Sequence, residues 1–308
     1  MSHARGLLSA VMLLLGVTLA SPVHAQQATP GAAAGNTRLL TATIPVGADL
    51  TNATLYFSRL PYEAGQVNEA MTFVGPTIFA VRTGTLTARA DDAVGLALHD
   101  ASASRDEAQP ELAAGTEQPL QPGDAVVVPA GVPISLHNPG PEAAEGFAIG
   151  ILLDTEGEGE GLGDTEGSGE VSEPWPLLGK GVVETVTTPA TVTVEQIVLA
   201  PGTALDPQGN AGVAILHVEA GTVMTAVEEG VAEASSGPFL RTGAVGPGAV
   251  FMEPGQERRL RDGAGPFAHA GTTYTVRNED DQPAQVLILR LAPDAAAAGM
   301  AVSGTPGP

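Results

Sequence analysis

Between residues 38 and 293 apolar and polar positions change over in short runs, and no stretch there holds a 3.6-residue apolar period. Thr54–Leu60 and Thr191–Val198 are β-branched, aromatic in part and roughly alternating, and Ala125–Val128 and Gln285–Arg290 are compact apolar runs. Gly and Pro interrupt the pattern every several residues. Alternation bounded by such breakers is the mark of strands, and many short strands imply a sandwich or a barrel. The pattern therefore predicts an all-β chain.

The flanks read differently. Arg5 precedes an apolar run from Leu7 to Ala20, and Ser21 to Ala25 ends in small residues. That order predicts a signal peptide over 1–25, cleaved after Ala25, and hence a secreted or periplasmic protein. Residues 26–37 read as a flexible lead-in. Asp154 to Glu170 holds seven acids, six glycines and no cation, too little apolar surface to bury, so 154–172 reads as an acidic Gly-rich linker. The tail 294–308 reads as disordered. Two strand-rich segments remain, 38–153 and 173–293.

The two segments repeat each other. At an offset of 137 positions Ala53-Thr54 falls on Ala190-Thr191, Leu60 on Ile197, Gly65 on Gly202 and Gly84 on Gly221. One gapless offset serving all these positions predicts a duplicated domain.

Composition narrows the functional classes. Cleavage of the signal leaves 35 acids against 12 cations, since Arg5 departs with it. Such a surface repels nucleic acid and anionic membrane. There is no cysteine, which excludes disulfides and a lipidated N-terminal cysteine. No later segment reaches 18 apolar residues, so no membrane anchor is expected. No Gly-x-Ser-x-Gly and no phosphate loop is present, and Lys180 is the sole lysine.

The repeated glycines resemble the two motifs of the cupin family. One is Gly, five residues, His-x-His, three or four residues, Glu, six residues, Gly. The other is Gly, five residues, Pro-x-Gly, two residues, His, three residues, Asn. The resemblance implies two tandem jelly-roll barrels in which three His and one Glu would hold a divalent metal. Here those positions are replaced. In the first segment Met71 and Phe73 stand for the two His, Thr77 for the Glu and Ile134 for the third His, between Gly123 and Asn138. In the second, Gln208, Asn210 and Ala214 occupy the first motif. The second motif there is anchored at Gly248 and Pro254, with an insertion over Glu257 to Thr272; counting back from Asn278 places Tyr274 at the His position.

A transition metal needs converging imidazole or carboxylate donors. His99, His137, His217 and His269 show no ligand spacing, and no cofactor is expected. Met71, Phe73, Thr77 and Ile134 predict a first barrel packed shut. Gln208, Asn210 and Tyr274 predict a second interior with neutral polar groups, either mutually satisfied or facing a small neutral polar ligand. His217 and Glu219, on the opposite strand face from Ala214, are expected to point outward, into an interdomain contact. Arg258, Arg259 and Arg261 fall in the insertion, at the barrel's rim or on a solvated loop.

Three readings follow: a non-enzymatic binding or structural protein, favoured here; a cupin-type enzyme, metal-free with Tyr274 and His269 as acid and base or with an atypical metal site; and an interaction module with domain–domain or homo-oligomer contacts.

Overall fold

The computed structural model describes residues 35–45, 50–99, 110–153, 175–186, 188–235 and 250–294. The stretches that read as signal peptide and acidic linker, and all of the tail beyond Asp294, lie outside these. The described residues form 22 strands, every pairing antiparallel. The expected strands are all there: Leu50–Tyr62, Ala125–Val128, Ala190–Leu199 and Ala284–Pro293 contain them.

Each repeat is a jelly roll made of a seven-stranded and a four-stranded sheet. In the first barrel the large sheet runs Leu177–Val186, Leu50–Tyr62, Ala144–Leu153, Thr77–Thr83, Ala125–Val128, Val94–Ala97, Glu111–Leu112. Its small sheet is Val67–Met71, Ile134–His137, Leu86–Ala90, Glu117–Leu120. The second barrel repeats this order: Gly35–Ile44, Ala190–Leu199, Ala284–Pro293, Val213–Ala220, Gly265–Ala268, Ala232–Ser235, Val250–Met252 against Gln208–Gly209, Thr273–Arg277, Thr222–Glu229, Glu257–Arg261.

The repeats exchange their leading strands. Gly35–Ile44 pairs with Ala190–Leu199 of the second barrel, and Leu177–Val186 pairs with Leu50–Tyr62 of the first. The first of these begins at Gly35, inside the stretch that reads as lead-in.

Three apolar cores result. Leu60, Phe73, Phe79, Ile134 and Ala148 fill the first barrel, and Ile197, Leu216, Val223, Tyr274 and Ile288 fill the second. The third core lies between the two large sheets, where Leu40, Phe57, Ile149, Ile215, Phe267 and Leu289 meet. A central strand such as Ala284–Pro293 thus has both faces buried: Val286 and Ile288 enter the barrel, Leu287 and Leu289 the interface. That is why its sequence is a continuous apolar run rather than an alternating one.

The motif glycines and asparagines make the corners. Gly65 and Gly202, Gly84 and Gly221, and Gly123 and Gly263 all have φ between 72° and 93°, a region costly for any residue with a Cβ. Asn138 Nδ2 donates to the carbonyls of Glu63 and Glu142, and its Oδ1 accepts from Gly140 N. Asn278 repeats this with the carbonyls of Leu199 and Gln282 and with Asp280 N.

Candidate functional site

The strand registers bring the motif positions together inside each barrel. Met71 is in register with Ile134, and Gln208 with Tyr274. Tyr274 thus stands opposite Gln208 as Ile134 stands opposite Met71, but its motif is not anchored at Gly248 and Pro254. The motif runs without a gap from Gly263 through Gly265–Ala268 and Gly271 to Asn278, with His269 where the proline stands in the first repeat. The expected insertion over Glu257 to Thr272 is instead two strands, each followed by a turn, and Gly248 lies outside the described residues. Proline at 129 fixes a turn that His269 makes without it, which hides the match.

The arginines fall accordingly on the strand Glu257–Arg261, not on a loop. Arg259 points outward and pairs with Asp280. Arg258, in register with Thr225, lies on the barrel-facing side.

In the second barrel Tyr274 is 1% exposed, Asn210 6% and Thr225 0%. Tyr274 Oη, both polar atoms of the Asn210 amide and Thr225 Oγ1 are buried without a hydrogen-bond partner among the described residues. Burial pushes the Tyr274 phenol above its ordinary range, against the charge and hydrogen-bonding pull of the nearby Arg290 guanidinium, although the two groups do not meet hydrogen-bond geometry. Arg290 shares the inward face with Val286 and Ile288 and is itself buried. Its Nη1 donates to Glu195 Oε2 at 2.6 Å and its Nη2 to Gln208 Oε1 at 2.8 Å, while Gln208 Nε2 donates to the Asp206 carbonyl at 2.6 Å. Arg290 and Glu195 are absent from the motif pattern, which records turn and ligand positions on other strands. The Arg290–Glu195 pair is neutral in itself. Ala214, in register with Arg290, supplies the small side chain that gives the guanidinium room.

The first barrel is different at every matching position. Phe73 is 4% exposed and stacks on Phe79 at 5.4 Å, and Trp175 closes over both, at 6.5 Å from Phe73 and 6.0 Å from Phe79. Ile134 is fully buried, Met71 packs on the same cluster, and Thr77 Oγ1 donates to the Gly75 carbonyl at 3.3 Å. Gly150 occupies the place that Arg290 takes in the repeat. These side chains fill the space.

The histidines stay apart. His217 is buried at the interface, its Nδ1 2.9 Å from the Leu178 carbonyl, and burial lowers its pKa. Glu219, on the same face, meets Arg59 and Arg82 of the first barrel. His269 Nε2 is 3.0 Å from Glu233 Oε1 and its ring stands edge-on to Phe267, so it does not serve Tyr274 as a base here. Among the described residues no three His, Asp or Glu side chains converge as metal donors, and no helix is long and apolar enough to cross a membrane.

Two jelly rolls with glycine corners at motif spacing, joined by exchanged strands, settle the architecture. The fold is two tandem cupin-like jelly rolls. Neither a protein-family model nor a curated protein matches the chain. Among solved structures, AerE from Microcystis aeruginosa is similar at 12% identity, covering 82% of this chain and 98% of that one, with a TM-score of 0.42. A cupin 2 conserved barrel domain protein from Leptotrichia buccalis matches at 12% identity over 86% and 91%, TM-score 0.31. Vicilin from Corylus avellana matches at 14% over 77% and 76%, TM-score 0.37. Likenesses this distant do not bear on what the tandem cupin binds or does.

Proposed function

We propose that this tandem cupin is an exported, non-enzymatic binding protein whose second barrel takes a small, uncharged, polar molecule and whose first barrel is structural. The observation that carries this reading is the set of buried, unpartnered polar atoms on Tyr274, Asn210 and Thr225. A buried polar atom without a partner costs about 1–3 kcal/mol. Three such side chains in one barrel, and none at Met71, Phe73 and Ile134 of the other, favour an interior adapted to a hydrogen-bonding guest over one shaped for stability.

The guest's chemistry follows from the groups. Asn210 offers one donor and one acceptor edge, while Tyr274 and Thr225 offer hydroxyls that serve as either. With Arg290 neutralised by Glu195, hydroxyl-bearing neutral molecules such as sugars or small hydroxy compounds fit best. The test is calorimetric titration of the mature protein with a panel of monosaccharides and polyols. Binding that disappears in the double variant Q208L/N210L supports the reading. Binding that survives the double substitution refutes it.

A further inference from the structure

The two barrels meet through a pair of side chains that the duplication makes equivalent. Arg82 and Glu219 are 137 positions apart, each two residues before the corner glycine, Gly84 or Gly221. They touch one another: Arg82 Nη1 to Glu219 Oε1 is 2.6 Å and Nη2 to Oε2 is 2.7 Å. Equivalent positions of two repeats contact each other only at the local twofold axis relating them. We propose that this position specifies the docking of unlike barrels, so that each barrel face accepts the other and rejects a copy of itself.

The surrounding charges are as one-sided as the pair. The first barrel contributes Arg59, whose Nη2 is 2.6 Å from Glu219 Oε1, and Glu145, whose Oε1 is 2.9 Å from Arg82 Nη1. Their counterparts in the second barrel are the neutral Gln196 and Gln285. The natural pairing therefore balances two cations against two anions. Two copies of the second face would set Glu219 against Glu219 with no cation between them, and Glu219 keeps only 7% of its side chain exposed. Two copies of the first would set Arg82 against Arg82 beside a second pair of arginines, four cations against the two Glu145 carboxylates. Like charges brought together out of water are strongly disfavoured.

Packing independently favours the same unlike pairing. On the exchanged strand Leu177–Val186, a Cβ at Gly181 would lie 2.1 Å from the Phe267 ring and one at Gly179 would lie 2.3 Å from Ile215 Cγ2. On the exchanged strand Gly35–Ile44 the matching positions are Ala42 and Leu40, and the residue matching Phe267 is Val127. One side of the interface is thus glycine against phenylalanine, the other alanine against valine. A second-barrel face set against its own copy would drive Phe267 into Ala42.

Two variant cycles on the full-length mature protein test this by thermal unfolding. R82E and E219R are each expected to lower Tm by about 5 °C or more, and R82E/E219R to lose clearly less than the sum of the two, the restored pair being offset in part by like charges beside Arg59 and Glu145. G181A is expected to lower Tm, and G181A/F267V, which installs the alanine–valine pairing on both sides, to recover it. R82Q and E219Q provide milder versions of the first cycle should a reversal fail to fold. The proposal is overturned if the charge cycle is additive, or if F267V does not rescue G181A.

Discussion

Replacing Tyr274 with phenylalanine removes one oxygen from the second barrel and leaves the ring that packs there. The direction of the resulting stability change separates two accounts of the interior. A buried hydroxyl satisfied within the protein contributes about 0.5–1.5 kcal/mol, so its loss destabilises. A buried hydroxyl without a partner carries a desolvation cost instead, so its loss stabilises. Tyr274 is 1% exposed, and the Arg290 guanidinium beside its Oη is committed to Glu195 and Gln208, which selects the second case. The unliganded Y274F protein should gain about 1 kcal/mol, a rise in Tm of about 2–4 °C for a chain of this size. Urea unfolding followed by circular dichroism reads the free energy directly, with an unchanged slope showing that the native state is otherwise intact. Saturation with a ligand that uses the phenol should reverse the ranking, because it stabilises the wild type more. Destabilisation of unliganded Y274F by about 1 kcal/mol or more would refute the reasoning, since the hydroxyl would then already have its partner.

Truncating Phe73 to alanine should cost about 3–5 kcal/mol and shift the fluorescence of Trp175, the chain's one tryptophan, to the red as its stacked neighbour is lost. R290M removes the donor to Gln208 Oε1 and leaves part-buried Glu195 with only the 3.5 Å contact to the exposed Arg38, and should lower stability by about 1–3 kcal/mol in the same urea assay. His217 is held neutral by burial, so its folded pKa lies below the unfolded value of about 6.5. The unfolded chain then takes up the proton first. The stability this residue contributes is complete above about pH 6.5 and is lost as pH falls from there through the depressed value. Wild-type Tm should accordingly drop more steeply than that of H217Q over that interval, and parallel profiles would contradict the assignment.

Much of the fold is legible in the chain because tight corners admit few residues. Gly65, Gly84 and Gly123 sit at positive φ, and their spacing is what marks the barrels. Where a less diagnostic residue makes the corner, the pattern misleads. His269 replaces the proline, and the offset between repeats grows from 137 to 140 residues before Gly263, so Gly248 and Pro254 offer a false anchor. The strand exchange has no local signature, since neither Gly35–Ile44 nor Leu177–Val186 encodes which sheet it joins. At the site, Gln208, Asn210 and Tyr274 are legible as replaced ligand positions. Arg290 and Glu195 are not, because charged residues in strands ordinarily face water, and only the burial of both sheet faces turns them inward.

The exchanged strands also bear on how the chain reaches this state. Gly35 finds its partner at Val198, and Leu50 at Val186, so neither sheet can close its edge until most of the polypeptide has been made. Contacts so distant in sequence make folding slow, and the waiting edges are templates for pairing with other chains. A ribosome releases the N-terminal segment first, as a barrel still missing its outermost strand. The interval before those partner strands arrive is when the molecule is most exposed to aggregation.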